Sequence, residues 1–212
     1  GAAQLLENSN VKNKKTLTQI ILEEAKRIES IVDRVQLLGE VNRLNFCALN
    51  IHDVIEKVKR AASQGYGSHV LFEENYDPSI PDVNGDFELL TQAFHNLIKN
   101  SCEAVSDMGG RINIKTSFYS GMALGSFGEK NKKLQLLISI ADNGPGVSRN
   151  IIADIFDPFS TTKMGGSGLG LPLVAKIVSV HGGFVELDDM LEGACFKIYL
   201  PAYDISQSRK VH

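Results

Sequence analysis

The chain has 212 residues, of which 43% are apolar and 22% charged, and a net charge of −3. That is room for one good-sized domain, or a domain with a helical appendage, around a sizeable core. The weak negative charge excludes wholesale recruitment of nucleic acid or of an anionic membrane, and three scattered cysteines without a CxxC suggest neither a disulfide framework nor a zinc site.

A reducing, cytoplasmic setting fits that cysteine usage. No apolar run approaches the length needed to cross a bilayer, so no membrane contact is expected. Residues 1–8 read as the last turns of a helix, and Asn8-Ser9-Asn10 breaks it. From Lys14 onward, Leu17, Ile21, Ile28, Ile31, Val35 and Leu38 recur by threes and fours for about seven turns, with Glu24 the polar exception. Such a stripe could be the face of a core helix. Charges on both sides favour a helix–helix seam that a second copy of the chain closes, giving a homodimer.

Residues 46–51 suit a short strand and residues 52–62 an amphipathic helix, ended by Gly65-Tyr66-Gly67. Val70 and Phe72 open a strand that stops near Asp77-Pro78. Residues 81–86 carry turn chemistry, with Asp86 as a helix N-cap. A long helix follows, apolar at Phe87, Leu90, Phe94, Leu97, Ile98 and Ala104, and Gly109-Gly110 closes it. Two alternating runs, Ile112 to Phe118 and Leu134 to Ile140, read as a hairpin with a long tip at 119–133. Helical spacing begins at Pro172 and ends at His181-Gly182-Gly183, where a helix C-terminus is a favourable place for a histidine. A last hairpin turns around Leu191-Glu192-Gly193, and a polar tail begins at Asp204. The mixture is α+β: a mixed sheet with helices packed on one face.

Four segments carry polar groups that a plain core does not need. Asn96 and Asn100 are four apart on one helical face, beside an apolar stripe. They are either a hydrogen-bonded structural pair or oxygens for a hard cation such as Mg²⁺. Asp142-Asn143-Gly144-Pro145-Gly146 places a carboxylate at a strand exit, ready to accept from a ligand amine. Phe156-Asp157-Pro158-Phe159 precedes Thr161-Thr162-Lys163; its aromatics could be core anchors and its lysine a phosphate charge. Gly166-Ser167-Gly168-Leu169-Gly170-Leu171 runs into a helix, a pattern suited to anions. It is not GxGxxG, because position 171 is leucine, and GxxxxGK[ST], GxSxG and HExxH are absent.

In this order and spacing the four segments resemble the N, G1, F and G2 boxes of the sensor histidine kinase catalytic domain, which shares the Bergerat (GHKL) fold with DNA gyrase and MutL. The wording DNGPGV, FDPFSTTK and GSGLGL is similar to nitrogen-regulation, NtrB-type kinases. The resemblance implies a two-layer α/β sandwich preceded by a long dimerisation helix. Residues 1–45 would be part of the dimerisation and phosphotransfer hairpin, 46–203 the catalytic ATP-binding domain and 204–212 a tail. It implies ATP and Mg²⁺ as ligands. Asn100 would be the metal ligand, supported by Asn96. Asp142 would face the adenine amine, with Gly144 and Gly146 passing the base. Lys99, Phe159, Thr161, Thr162 and Lys163 would line the site, and Gly166, Ser167, Gly168, Leu169, Gly170 and Leu171 would form the phosphate lid.

ATPase relatives place a water-activating glutamate where this chain has Asn96. A neutral amide cannot act as general base, so the resemblance implies phosphoryl transfer to a histidine rather than hydrolysis, with relay to an NtrC-like response regulator. None of His52, His69, His95, His181 and His212 lies in an HExxNP-type box, so the acceptor is expected elsewhere. The alternative is a nucleotide-gated interaction module of the same fold without phosphotransfer.

Overall fold

A computed structural model describes residues 44–105, 108–119, 135–161, 163, 167–188 and 192–203, together with Thr18, Ile20, Ile21, Glu24, Ala25, Ile28 and Val32. The chain divides into two compact units, Gly1–Asn42 and Arg43–His212. In the first unit the described residues are helical, and Ile20, Ile28 and Val32 are exposed. The seam positions Leu17, Ile31, Val35 and Leu38 lie outside the described residues, as do the hairpin tip at 120–134 and the tail from Asp204.

The second unit runs β1 (Cys47–Leu49), α1 (Ile51–Gln64), β2 (Leu71–Asn75), β3 (Val83–Gly85), α2 (Phe87–Ala104), β4 (Arg111–Tyr119), β5 (Gln135–Asp142), α3 (Gly170–Val180), β6 (Phe184–Asp188) and β7 (Cys195–Pro201). Five strands form one sheet in the order β2-β4-β5-β7-β6, and β1 pairs with β3 separately. Only β2 and β4 are parallel in the larger sheet, as a pair joined by a crossover helix must be, and α2 supplies that crossover.

Alternation explains the layering. Ile114 of β4 lies opposite Ile140 of β5, which lies opposite Phe196 of β7. Two residues on, Thr116, Ile138 and Ile198 form the next row. All six are buried. Residues two apart share a sheet face, so these rows make one apolar face. The helices bring their own apolar stripes to the core: Val54, Ile55 and Val58 from α1, Leu90, Phe94, Leu97 and Ile98 from α2, and Leu173, Val174 and Ile177 from α3. The other face is solvated, with Lys115 exposed and Lys197 paired to Asp188 at 2.6 Å.

Residues 83–85, the end of α2 and the start of α3 differ from the sequence expectation, and Ile51, expected in the first strand, already belongs to α1. Residues 83–85 form β3 although their composition is that of a turn; pairing with β1 overrides local propensity. Helix α2 stops at Ala104, short of the glycines, because Val105 is already extended (φ −84°, ψ 155°). Helix α3 starts at Gly170, two residues before the expected Pro172.

His181 is neutral at its helix end, not the dipole-stabilised cation that the position suggests. Its Nε2 accepts from Asp86 N–H at 3.0 Å, so Nδ1 carries the proton and donates to Ile177 O at 2.7 Å. The ring thus ties the end of α3 to the N-cap of α2, whose carboxylate accepts from Glu88 and Leu89 N–H. Burial lowers its pKa below 6.5, although the Ile177 carbonyl and Asp86 act to raise it. The folded state therefore binds this proton less readily than the unfolded chain. The stabilisation is complete above the unfolded value and declines as pH falls through it toward the folded value. We predict that denaturant unfolding shows lower stability at pH 5.5 than at pH 7.5, and that His181→Gln shrinks that gap while costing about 1–3 kcal/mol at pH 7.5. An unchanged gap would contradict this role.

Candidate functional site

Helix α2 buries Leu97 and Ile98 and leaves Asn96, Lys99 and Asn100 half-buried along its edge. Asn96 Nδ2 is buried and, among the described residues, has no hydrogen-bond partner. An unsatisfied buried amide costs free energy unless a ligand or water completes it. The first residue of α3 lies on this amide face. A Cβ on Gly170 would be 3.8 Å from Asn96 Oδ1 and 3.9 Å from Asn100 Nδ2. Among the described residues no side chain caps α3. Ser167 Oγ accepts from Leu169 N–H at 3.3 Å, one residue before the helix proper. The N–H groups of Gly170 and Leu171 have no intrahelical acceptor, as in any first helical turn, and the helix dipole favours an anion there. Leu169 is buried and anchors the entry.

Asp142 stands at the exit of β5 and is only 5% exposed. Its Oδ1 accepts from Gly144 N–H at 3.0 Å and Ala194 N–H at 3.3 Å. Gly144 also lies against the Ala104 carbonyl, 2.9 Å from where its Cβ would be, so the turn after β5 meets the end of α2. Gly146 packs on the Gly193 carbonyl. Gly193 itself has φ +75°, and a Cβ there would fall 1.7 Å from Asp142 O. Only glycine fits that approach.

The aromatic segment divides its labour. Phe156 is half-buried, with its ring 6.5 Å from that of Phe196, and is a core anchor. Phe159 is 64% exposed and adopts φ +71°, a strained value for a non-glycine residue. Its N–H donates to Gly168 O at 2.9 Å. Thr161 Oγ1 accepts from Lys163 N–H at 3.1 Å. Lys163 Nζ donates to Glu103 Oε2 at 2.7 Å and to Asn100 Oδ1 at 3.5 Å. Thr162 and Gly166 lie outside the described residues.

The Asn100 oxygen therefore already faces a cation, the lysine ammonium. One amide oxygen fits Mg²⁺, which takes its other ligands from water and phosphates. Among the described residues no group of three or more His, Cys, Asp or Glu is placed to hold a metal.

Sequence reasoning gave no site role to three residues. Asn143 pins the turn before β4, accepting from Arg111 N–H at 2.7 Å and donating to Gly109 O at 2.9 Å. Gly193 shapes the Asp142 exit. Glu103 pairs with Lys163. The asparagine in a strand-exit turn and the hairpin glycine carried local turn signals, and Glu103 carried none.

Residues 85–204 match the family described as histidine kinase-, DNA gyrase B-, and HSP90-like ATPase. The chain belongs to that family. A sensory histidine kinase/phosphatase NtrB of Azospirillum brasilense is 44% identical over 209 residues, covering 98% of this chain and 52% of the relative. The chain spans about half the length of the curated relatives it matches. The catalytic domain of histidine kinase ThkA is similar, with 26% identity over 74% of this chain and 95% of that one at a TM-score of 0.61. ThkA in complex with the response regulator protein TrrA shares the fold, at 24% identity and a TM-score of 0.69 over 93% of this chain and 54% of that one.

Two glycines separate fold from site. Gly193→Ala should lower stability by about 2 kcal/mol or more, through strain at a special φ and overlap with Asp142 O. Gly170→Ala meets nothing closer than 3.8 Å, so it should melt within about 2 °C of the parent, given that ordinary surface changes stay within about 0.5 kcal/mol. Its methyl would intrude on the amide face and weaken nucleotide binding. Thermal melts with nucleotide titration check both, and equal melting losses would contradict the assignment.

Proposed function

We propose that this member of the histidine kinase-, gyrase- and HSP90-like family is the ATP-binding catalytic portion of a two-component sensor histidine kinase. Residues 46–203 hold ATP with Mg²⁺ and present its γ-phosphoryl group to a histidine outside that domain, for relay to a response-regulator aspartate. The observation that carries this reading is the uncapped N-terminus of α3 seated on the Asn96–Asn100 face. Anion-binding N–H groups and a cation-facing oxygen then meet at one place, as a Mg²⁺–phosphate pair requires.

The roles follow. Among the described residues both backbone N–H contacts to the Asp142 carboxylate fall on Oδ1, leaving Oδ2 for the adenine amine. Gly144 and Gly146 let the backbone pass the base. The N–H groups from Gly168 to Leu171 receive phosphate oxygens, and Lys99 and Lys163 add charge. Asn100 would hold Mg²⁺, which supplies charge neutralisation at the phosphates. Asn96 cannot take a proton from water, which supports transfer, a reaction governed by positioning and electrostatics. The relatives' name supports the kinase reading. ThkA's complex with TrrA supports a response regulator as partner, NtrC-like by resemblance. No described helix is long and apolar enough to cross a membrane.

With labelled ATP, the chain should phosphorylate a separately supplied hairpin that carries a histidine in an HExxNP-type box, giving acid-labile phosphate. Nucleotide binding without transfer would favour the gated interaction module instead. Asp142→Asn should weaken nucleotide binding by about 1.5–3 kcal/mol in calorimetry, the cost of an unmade hydrogen bond to a charged group. Unchanged affinity removes Asp142 from the site. The stripe at 17–38 should make homodimers; a monomer at every concentration in sedimentation equilibrium would contradict it.

A further inference from the structure

We infer that Glu103 is a positioning residue that holds Lys163 over Asn100 and makes the nucleotide site depend on a divalent cation. The inference rests on the nucleotide-site reading above. Asn96, Asn100 and Glu103 follow at spacings of four and three, so they form one edge of α2. Lys163 comes from the far side of the site in sequence and lies between the last two. Its ammonium is 2.7 Å from the carboxylate and 3.5 Å from the amide oxygen.

Folding does not explain the pair. The side chains are 43% and 46% exposed, and ion pairs at that exposure contribute little to stability. What the pair does is local. It places a positive charge beside Asn100 Oδ1 before any ligand arrives, and it sets a carboxylate one turn along α2 from Asn100.

Two kinds of nucleotide meet this arrangement differently. A nucleotide without metal needs Lys163 at its phosphates. The lysine must then leave Glu103, and the uncovered carboxylate repels the phosphates. A nucleotide with Mg²⁺ brings its own positive charge to Asn100, which screens Glu103 and removes the repulsion. Glu103 thus selects against the metal-free nucleotide, and Lys163 is the placeholder that the metal complex relieves.

Calorimetry with ADP tests this on the 212-residue chain, once in excess Mg²⁺ and once in EDTA. Glu103→Gln keeps the shape of the side chain and removes its charge. It should tighten metal-free ADP binding about two- to five-fold, the scale of a half-screened ion pair. Mg²⁺–ADP binding should change by less, so the ratio of the two affinities shrinks. Glu103→Asp, which keeps the charge, should hold the ratio near that of the parent. An unchanged ratio in Glu103→Gln, or an equal loss under both conditions, overturns the inference and leaves Glu103 a surface residue. Absence of ADP binding by the parent chain under both conditions would instead overturn the site reading itself.

Discussion

One constraint orders this domain: α2 must bury an apolar stripe against the sheet while keeping an amide edge uncovered for α3. Phe94, Leu97 and Ile98 are essentially inaccessible, and hydrophobic burial of this kind fixes the rotation of a helix more firmly than any polar contact. With the rotation set, Asn96, Asn100 and Glu103 can only lie along one edge. The other helix in contact there, α3, brings its first residue, Gly170, to that edge. The polar chemistry of the site is thus a by-product of how the core packs.

The two ends of α2 keep that rotation in register with the rest. At the N-terminus, Asp86 caps the helix, and its own N–H is held by His181 from the end of α3. At the C-terminus, the Ala104 carbonyl meets Gly144 just after Asp142. A single helix therefore spaces the carboxylate at the strand exit from the entry to α3. Cys102, next to this edge, is pushed up to about 11, first by burial and then by Glu103 and Asp142; its thiol stays protonated and serves as packing.

Much of this was legible in the sequence. The alternating runs of β4 and β5, the Asp86 cap and the Asn96–Asn100 spacing are local patterns, and local patterns survive translation into structure. The glycine-rich stretch announced a helix N-terminus, though not its first residue. Other features were hidden because they depend on partners distant in sequence. Strand β3 has turn composition and becomes a strand only beside β1. His181 was placed at a helix end, but its neutral state depends on burial and on the Asp86 N–H, which is distant in sequence. Glu103 carried no signal of its own, because Lys163, the residue that pairs with it, lies sixty positions on. Gly193 looked like any hairpin glycine; its need for a positive φ arises from the Asp142 carbonyl above it.

The central claim is that the α3 N-terminus on the amide edge of α2 receives phosphate. Amide hydrogen exchange across residues 168–171, with and without saturating Mg²⁺–ADP, tests it most directly. The account predicts marked slowing at Gly170 and Leu171, whose N–H groups have no intrahelical acceptor, and little change at the solvated strand β2. Nucleotide binding that leaves those two amides exchanging at their free rate would contradict it.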